Sequence, residues 1–145
     1  MSDFIHSSRI SNAMLGERLA MQVLKEAYGI GPGVRVPVVG SAKLDNSRQA
    51  ITIRFENIME YLTPLNAKAE EFPIEVEDED GLVVLSDYEI SGDTVIVKLA
   101  RCCNGKTVIH GQTGTDPDNY LMDSGSQLPM LCFYQFPVEE PDHCK

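Results

Sequence analysis

The stretch that decides the fold is FPIEVEDEDGLVVLSDYEISGDTVIVKL, residues 72–99. Phe72, Ile74 and Val76 alternate with Pro73, Glu75 and Glu77. That period of two is the pattern of a strand with one dry and one wet face. Asp80-Gly81 is a turn signal, and Leu82-Val83-Val84-Leu85 follows it as a second strand. Ser91-Gly92-Asp93 turns the chain again, into a strand on Val95, Val97 and Leu99.

Moving outward, Ile51, Ile53 and Phe55 alternate with Thr52 and Arg54 in the same way. Val34-Arg35-Val36 and Val38-Val39 form an extended segment broken at Pro37. Asn104-Gly105 is a third turn, ahead of Val108 and Ile109. Leu131, Phe133 and Phe136 make a last apolar segment. Short strands with turns every ten or so residues predict a small antiparallel sandwich. Before it, Leu15, Leu19, Ala20, Val23, Leu24, Ala27 and Tyr28 recur near every 3.6 residues, the mark of one amphipathic helix. Ser11 or Asn12 is placed to cap its start, and Gly29 and Pro32 to end it. The predicted fold class is therefore α+β, one N-terminal helix followed by a small antiparallel β-sandwich. A linker at Gly29 to Gly33 divides residues 1–30 from residues 34–145.

Composition fits a globular chain: 43% hydrophobic and 23% charged residues are near the soluble average. No apolar run approaches the roughly 20 residues of a membrane helix. Twelve basic residues against 22 acidic ones leave a net charge of −10. That balance disfavours nucleic acid and anionic membranes, which need clustered Lys and Arg, and leaves a neutral ligand such as a sugar open. Cys102, Cys103, Cys132 and Cys144 contain no C-x-x-C pair and permit three pairings, or free thiols.

Asp3-Phe4-Ile5-His6 is the candidate catalytic pair. A carboxylate three residues before a histidine can fix one imidazole tautomer and stabilise the imidazolium when the ring accepts a proton. The pair stands just before LGERLAMQVLKEAYG, Leu15 to Gly29. Here the chain resembles the sialate O-acetylesterase family, carbohydrate esterases with the SGNH (GDSL-like) hydrolase fold. Their catalytic domain ends in a D-x-x-H block, followed by a G-x-R-L-A segment and a helix ending in Y-G. Gly16, Arg18, Leu19, Ala20, Tyr28 and Gly29 match that segment in order, and Gly31-Pro32 resembles the S-G-P after it. More loosely, Asp116 to Leu121 resembles the family's D-x-P-x-x-N-L-Y segment, and Leu128-Pro129-Met130 with Phe133 its G-L-P-A-x-P-F ending.

The resemblance implies that Asp3 is the acid of a triad and His6 its general base. It implies that residues 1–30 are the last segment and helix of an SGNH-type esterase domain, and 34–145 a C-terminal β-sandwich domain. The partners it implies are an O-acetylated sugar or glycan and a missing N-terminal catalytic domain, with no metal, no other cofactor, no nucleic acid and no membrane. It implies a periplasmic or secreted location. The family's G-Q-S-N-like nucleophile block and its oxyanion blocks do not occur in these 145 residues, so the chain alone is expected to be inactive. Asp123-Ser124-Gly125-Ser126 superficially looks like G-D-S but reads as a turn. Ser11-Asn12-Ala13-Met14 also fits a tag scar before a native methionine, which would make residues 1–13 foreign.

Other features read as structural first. The acidic run Glu75 to Asp80 reads as a solvated hairpin turn and His110 as a packing residue. Tyr61, Tyr88, Tyr120 and Tyr134 are candidates for a sugar platform or for packing. The alternative function is a non-catalytic β-sandwich, accessory or glycan-binding.

Overall fold

A computed structural model of the chain describes residues 9–113 and 119–142. It divides into two units, Met1–Arg35 and Val36–Lys145. The first unit is built on one helix, α1 (Arg9–Tyr28). It starts ahead of Ser11 and Asn12, so both lie within the helix and neither is its N-cap. The helical backbone reaches further upstream than the apolar period does, which is why the periodic residues misplace the start. Gly29, at φ +67°, adopts the left-handed conformation that closes the helix. Its N–H donates to Lys25 O and the Ile30 N–H to Leu24 O. The stripe of Leu15, Leu19, Val23, Leu24 and Tyr28 is exposed. Among the described residues, no helix is long and apolar enough to cross a membrane.

The second unit is the antiparallel β-sandwich. Its strands are β1 (Val38–Leu44), β2 (Ala50–Glu56), β3 (Leu62–Pro64), β4 (Ile74–Asp78), β5 (Gly81–Val83), β6 (Leu85–Ser91), β7 (Thr94–Leu99), β8 (Val108–Gly111), β9 (Leu121–Asp123) and β10 (Phe133–Pro137). One sheet has the order β1-β2-β7-β6, the second β10-β8-β4-β5, and β3 pairs with β9. All named pairings are antiparallel.

The alternation in β2 is obeyed to the residue: Ile51, Ile53 and Phe55 are buried, Thr52, Arg54 and Glu56 exposed. Val95, Val97 and Leu99 of β7 and Ile74, Val76, Val83 and Ile109 of the other sheet join them in a single apolar core. Leu82 to Leu85, expected as one strand, is two. Val83 ends β5 on β4, and Leu85 begins β6 on β7. Between them Val84 is 71% exposed, at the point where the chain changes sheets. Cys102, Cys103 and Cys132 are free thiols, and burial pushes the Cys103 thiol up from its ordinary pKa.

Gly111 closes β8 where Phe133 crosses it in register. A Cβ at this position would stand 2.2 Å from Cε1 of Phe133, so the ring must move. Gly111→Ala is expected to destabilise the sandwich by about 1–3 kcal/mol through overpacking. A urea melt of the variant checks this, with a lowered midpoint as the expected result.

Candidate functional site

The sequence-derived catalytic pair, Asp3 and His6, lies outside the described residues, as do Asp116, Pro117 and Asp118 of the D-x-P-like segment. Two other sequence candidates are resolved into structural roles. Asp123 ends β9 and Ser124 to Ser126 form the turn after it, with no strand-to-helix elbow. Asp123 is fully buried and its carboxylate accepts from the N–H groups of Met59, Glu60, Gly125 and Ser126. Burial acts to raise its pKa, but hydrogen bonds from Glu60, Ser126 and Met59 outweigh it and hold the group at about 2. Ser124 Oγ donates to Glu60, not to a histidine. Asn119, in the loosely matched segment, is buried and ties down the 66–71 loop through Asn66 N and O and through Glu71 O.

The acidic run splits by strand register. Glu75 and Glu77 project from the outward face of β4, while Ile74 and Val76 point inward. Asp78 is buried at the hairpin, and the Arg101 guanidinium on both its oxygens holds its carboxyl well below the usual range. The Asn104 and Asp80 N–H groups add to that hold. Among the described residues no three His, Cys, Asp or Glu side chains form a metal-holding group.

The outward face of the β10-β8-β4-β5 sheet carries a connected group of polar side chains. His110 on β8 lies opposite Glu75, and Val108 opposite Glu77, so these side chains share that face. Pro137 of β10 lies opposite Val108 in turn. Although outward, His110 is only 3% exposed. Its ring is covered by Tyr134, with centroids 4.7 Å apart and planes at 30°. Nδ1 accepts from the Gln135 N–H at 3.0 Å, which places the ring proton on Nε2. Nε2 then donates to Glu77 Oε2 at 2.8 Å. Both imidazole nitrogens are committed, so His110 is a scaffold for Tyr134 and Glu77 and not a free base.

Gln135 sits in the bulge between Phe133 and Phe136 with φ +53°, a conformation a non-glycine side chain rarely adopts. That turn of the backbone is what aims its N–H at His110. Beside it runs a groove of about 520 Å³, lined by Glu77, Asp78, Glu79, Lys106, Val108, Gln135 and Pro137. Its size is that of a small-ligand cleft. Of the tyrosines named from sequence, Tyr88 stacks on Phe72 at 4.2 Å and donates to Ala67 O, so it packs the fold. Tyr134 is 71% exposed and presents its other face to solvent. Gln135 and Lys106 carry no signal in the sequence, and Glu77 reads there only as part of the acidic run. The outward phase of Glu77 was readable there, whereas a positive φ at Gln135 has no signature in residue type.

The chain matches no protein-family model and no curated protein sequence. Among solved structures it is similar to a carbohydrate acetylesterase from Xanthomonas citri, at 20% identity and a TM-score of 0.60. The match covers 93% of this chain and 28% of that one. It is also similar to the S-layer protein rSbsC, at 18% identity and a TM-score of 0.51, over 92% of this chain and 17% of that one. At these identities the likeness is one of fold. The chain has the fold of a part of a carbohydrate acetylesterase and spans 28% of that protein's length.

Proposed function

We propose that this chain is the C-terminal portion of a carbohydrate O-acetylesterase of the sialate type, whose SGNH-like catalytic domain ends in residues 1–30. Residues 34–145 are then its accessory β-sandwich. The observation that carries the reading is the fold likeness along 93% of the chain to a carbohydrate acetylesterase more than three times as long. The D-x-x-H block and the Gly16 to Gly29 segment support it independently.

In the full-length parent, a serine from the preceding domain attacks the acetyl carbonyl and its proton passes to His6. His6 then donates that proton to the departing sugar oxygen, and the acetyl group stays on the serine. Water, deprotonated by His6, releases acetate and restores the serine. Asp3 holds the imidazole tautomer and stabilises the imidazolium through each transfer. The location we propose is the periplasm or the cell exterior, where O-acetylated glycans are met. A second reading, a non-catalytic glycan-binding sandwich, is favoured by the exposed ring of Tyr134 beside an open polar groove.

An antibody raised against this chain and used on its source cells tests the first reading. The expected band is several domains larger than 16.0 kDa, at roughly 100–200 residues per domain. Acetyl release from an O-acetylated sugar is expected from that polypeptide and not from the purified 145-residue chain. A native band at 16.0 kDa would leave His6 without a nucleophile and overturn the reading. Robust turnover by the short chain, lost in His6→Ala, would overturn it equally.

A further inference from the structure

We propose that the outward face of the β10-β8-β4-β5 sheet is a binding site for a neutral oligosaccharide, with one sugar ring stacked on Tyr134 and its hydroxyls held by Glu77, Gln135 and Lys106. The inference takes only its ligand class from the glycan reading above. Its geometry stands apart from the catalytic pair.

Three observations converge. First, Tyr134 is an aromatic plate held still on one side and free on the other. His110 supports the inner face, and both nitrogens of that imidazole are themselves fixed, by Gln135 N–H and by Glu77. A pyranose presents a face of C–H bonds, and an immobilised, solvent-facing ring is a surface on which such a face stacks. Building that support costs a positive φ at Gln135, strain of the kind that collects at binding sites.

Second, the groove beside the plate offers hydrogen-bonding groups that no described residue uses. Glu77 spends Oε2 on His110, and its other oxygen takes no hydrogen bond among the described residues. The Gln135 side-chain amide and the Lys106 ammonium likewise have no partner among the described residues. A carboxylate accepts from hydroxyls, an ammonium donates to them, and an amide does both. That is the set a vicinal diol requires. Asp78, also on the groove wall, is occupied by Arg101 and takes no part.

Third, the charge selects against an anionic ligand. Among the described residues lining the groove, Glu77 and Glu79 face one cation, Lys106, on a chain of net charge −10. A sialylated chain would bring a further negative charge to this face.

The test is a titration of the isotope-labelled 145-residue chain with cellohexaose, xylohexaose and mannohexaose in turn, followed by amide chemical shifts. At least one of the three is expected to give saturable shifts centred on Glu77, Lys106 and residues 134–137. Tyr134→Ala is expected to weaken that binding about tenfold or more, and Lys106→Ala about two- to fivefold. Both positions are on the surface, and circular dichroism confirms that the variants are folded. No shift with any of the three sugars, shifts centred elsewhere, unchanged binding by Tyr134→Ala, or tighter binding of sialyllactose than of the neutral sugars would each overturn the proposal. None of these results bears on the native mass or on acetyl release, so the esterase reading stands or falls separately.

Discussion

Asp123→Ala is expected to lower the unfolding free energy by about 4 kcal/mol, a large share of the roughly 5–15 kcal/mol that holds a domain of this size. Asp123 has no exposed surface and, among the described residues, no cationic partner. Its charge is stabilised by backbone amides, Met59 N at 3.2 Å, Glu60 N at 3.1 Å, Ser126 N at 3.0 Å and, more distantly, Gly125 N, together with the Ser126 hydroxyl. Alanine removes the acceptor and leaves those donors facing a small cavity. Each buried unpaired donor costs about 1–3 kcal/mol, reduced where water enters. Asp123→Asn keeps the shape but turns an N–H₂ toward N–H donors, so it is expected to recover only part of the loss. Urea melts of the two variants against the parent check the order. An alanine variant as stable as the parent would show that these amides are content with water.

The same carboxylate gives the sandwich an acid limit. Its pKa is near 2 in the folded chain against an ordinary 3.8, and that of Asp78 is also depressed. A depressed carboxyl contributes stability that is complete above the unfolded value and is lost as pH falls toward the folded one. Stability is therefore flat above about pH 5 and declines from pH 4 toward pH 2. In Asp123→Ala the decline is shallower, because one of the groups that must be protonated is gone.

How much of this was legible depends on how each residue's role reaches the sequence. Ile51, Ile53 and Phe55 report a half-buried strand because each side chain sees only one face. The hairpins at Gly81 and Gly92 report themselves because the backbone there needs φ +108° and +59°, which glycine supplies. The run Leu82 to Leu85 misleads because a continuous apolar string describes equally a buried strand and a change of sheet. Leu82 is in fact 65% exposed. β6 was missed because Ser86, Asp87 and Glu89 dilute Tyr88 and Ile90 on a strand at a sheet edge. β3 and β9, three residues each, are too short to show any period. The outward site was not legible. Glu77 and His110 are 33 positions apart and meet only through the β4–β8 register. Asp123 was read as part of a turn, which it is. That its carboxylate organises the turn from inside follows only from where Met59 and Glu60 are placed.

In the full-length esterase proposed above, His6→Ala is expected to reduce kcat for acetyl release by about 10³–10⁴-fold with little change in KM. The histidine moves a proton in the transition state and does not hold the sugar, so its loss falls on the chemical step. Asp3→Asn is expected to cost about 10²–10⁴-fold, since an amide in place of the carboxylate can bind the wrong imidazole tautomer and cannot stabilise the imidazolium. The informative variant carries both changes. Two groups that act as one unit are not additive, because Asp3 has nothing to orient once His6 is gone. The double variant should therefore be no slower than His6→Ala alone, within about a factor of three. If instead the two losses multiply, Asp3 acts on something other than His6. If His6→Ala turns over normally, His6 carries no part of that chemistry. The stacked face around Tyr134 would then be the chain's strongest remaining claim to a ligand.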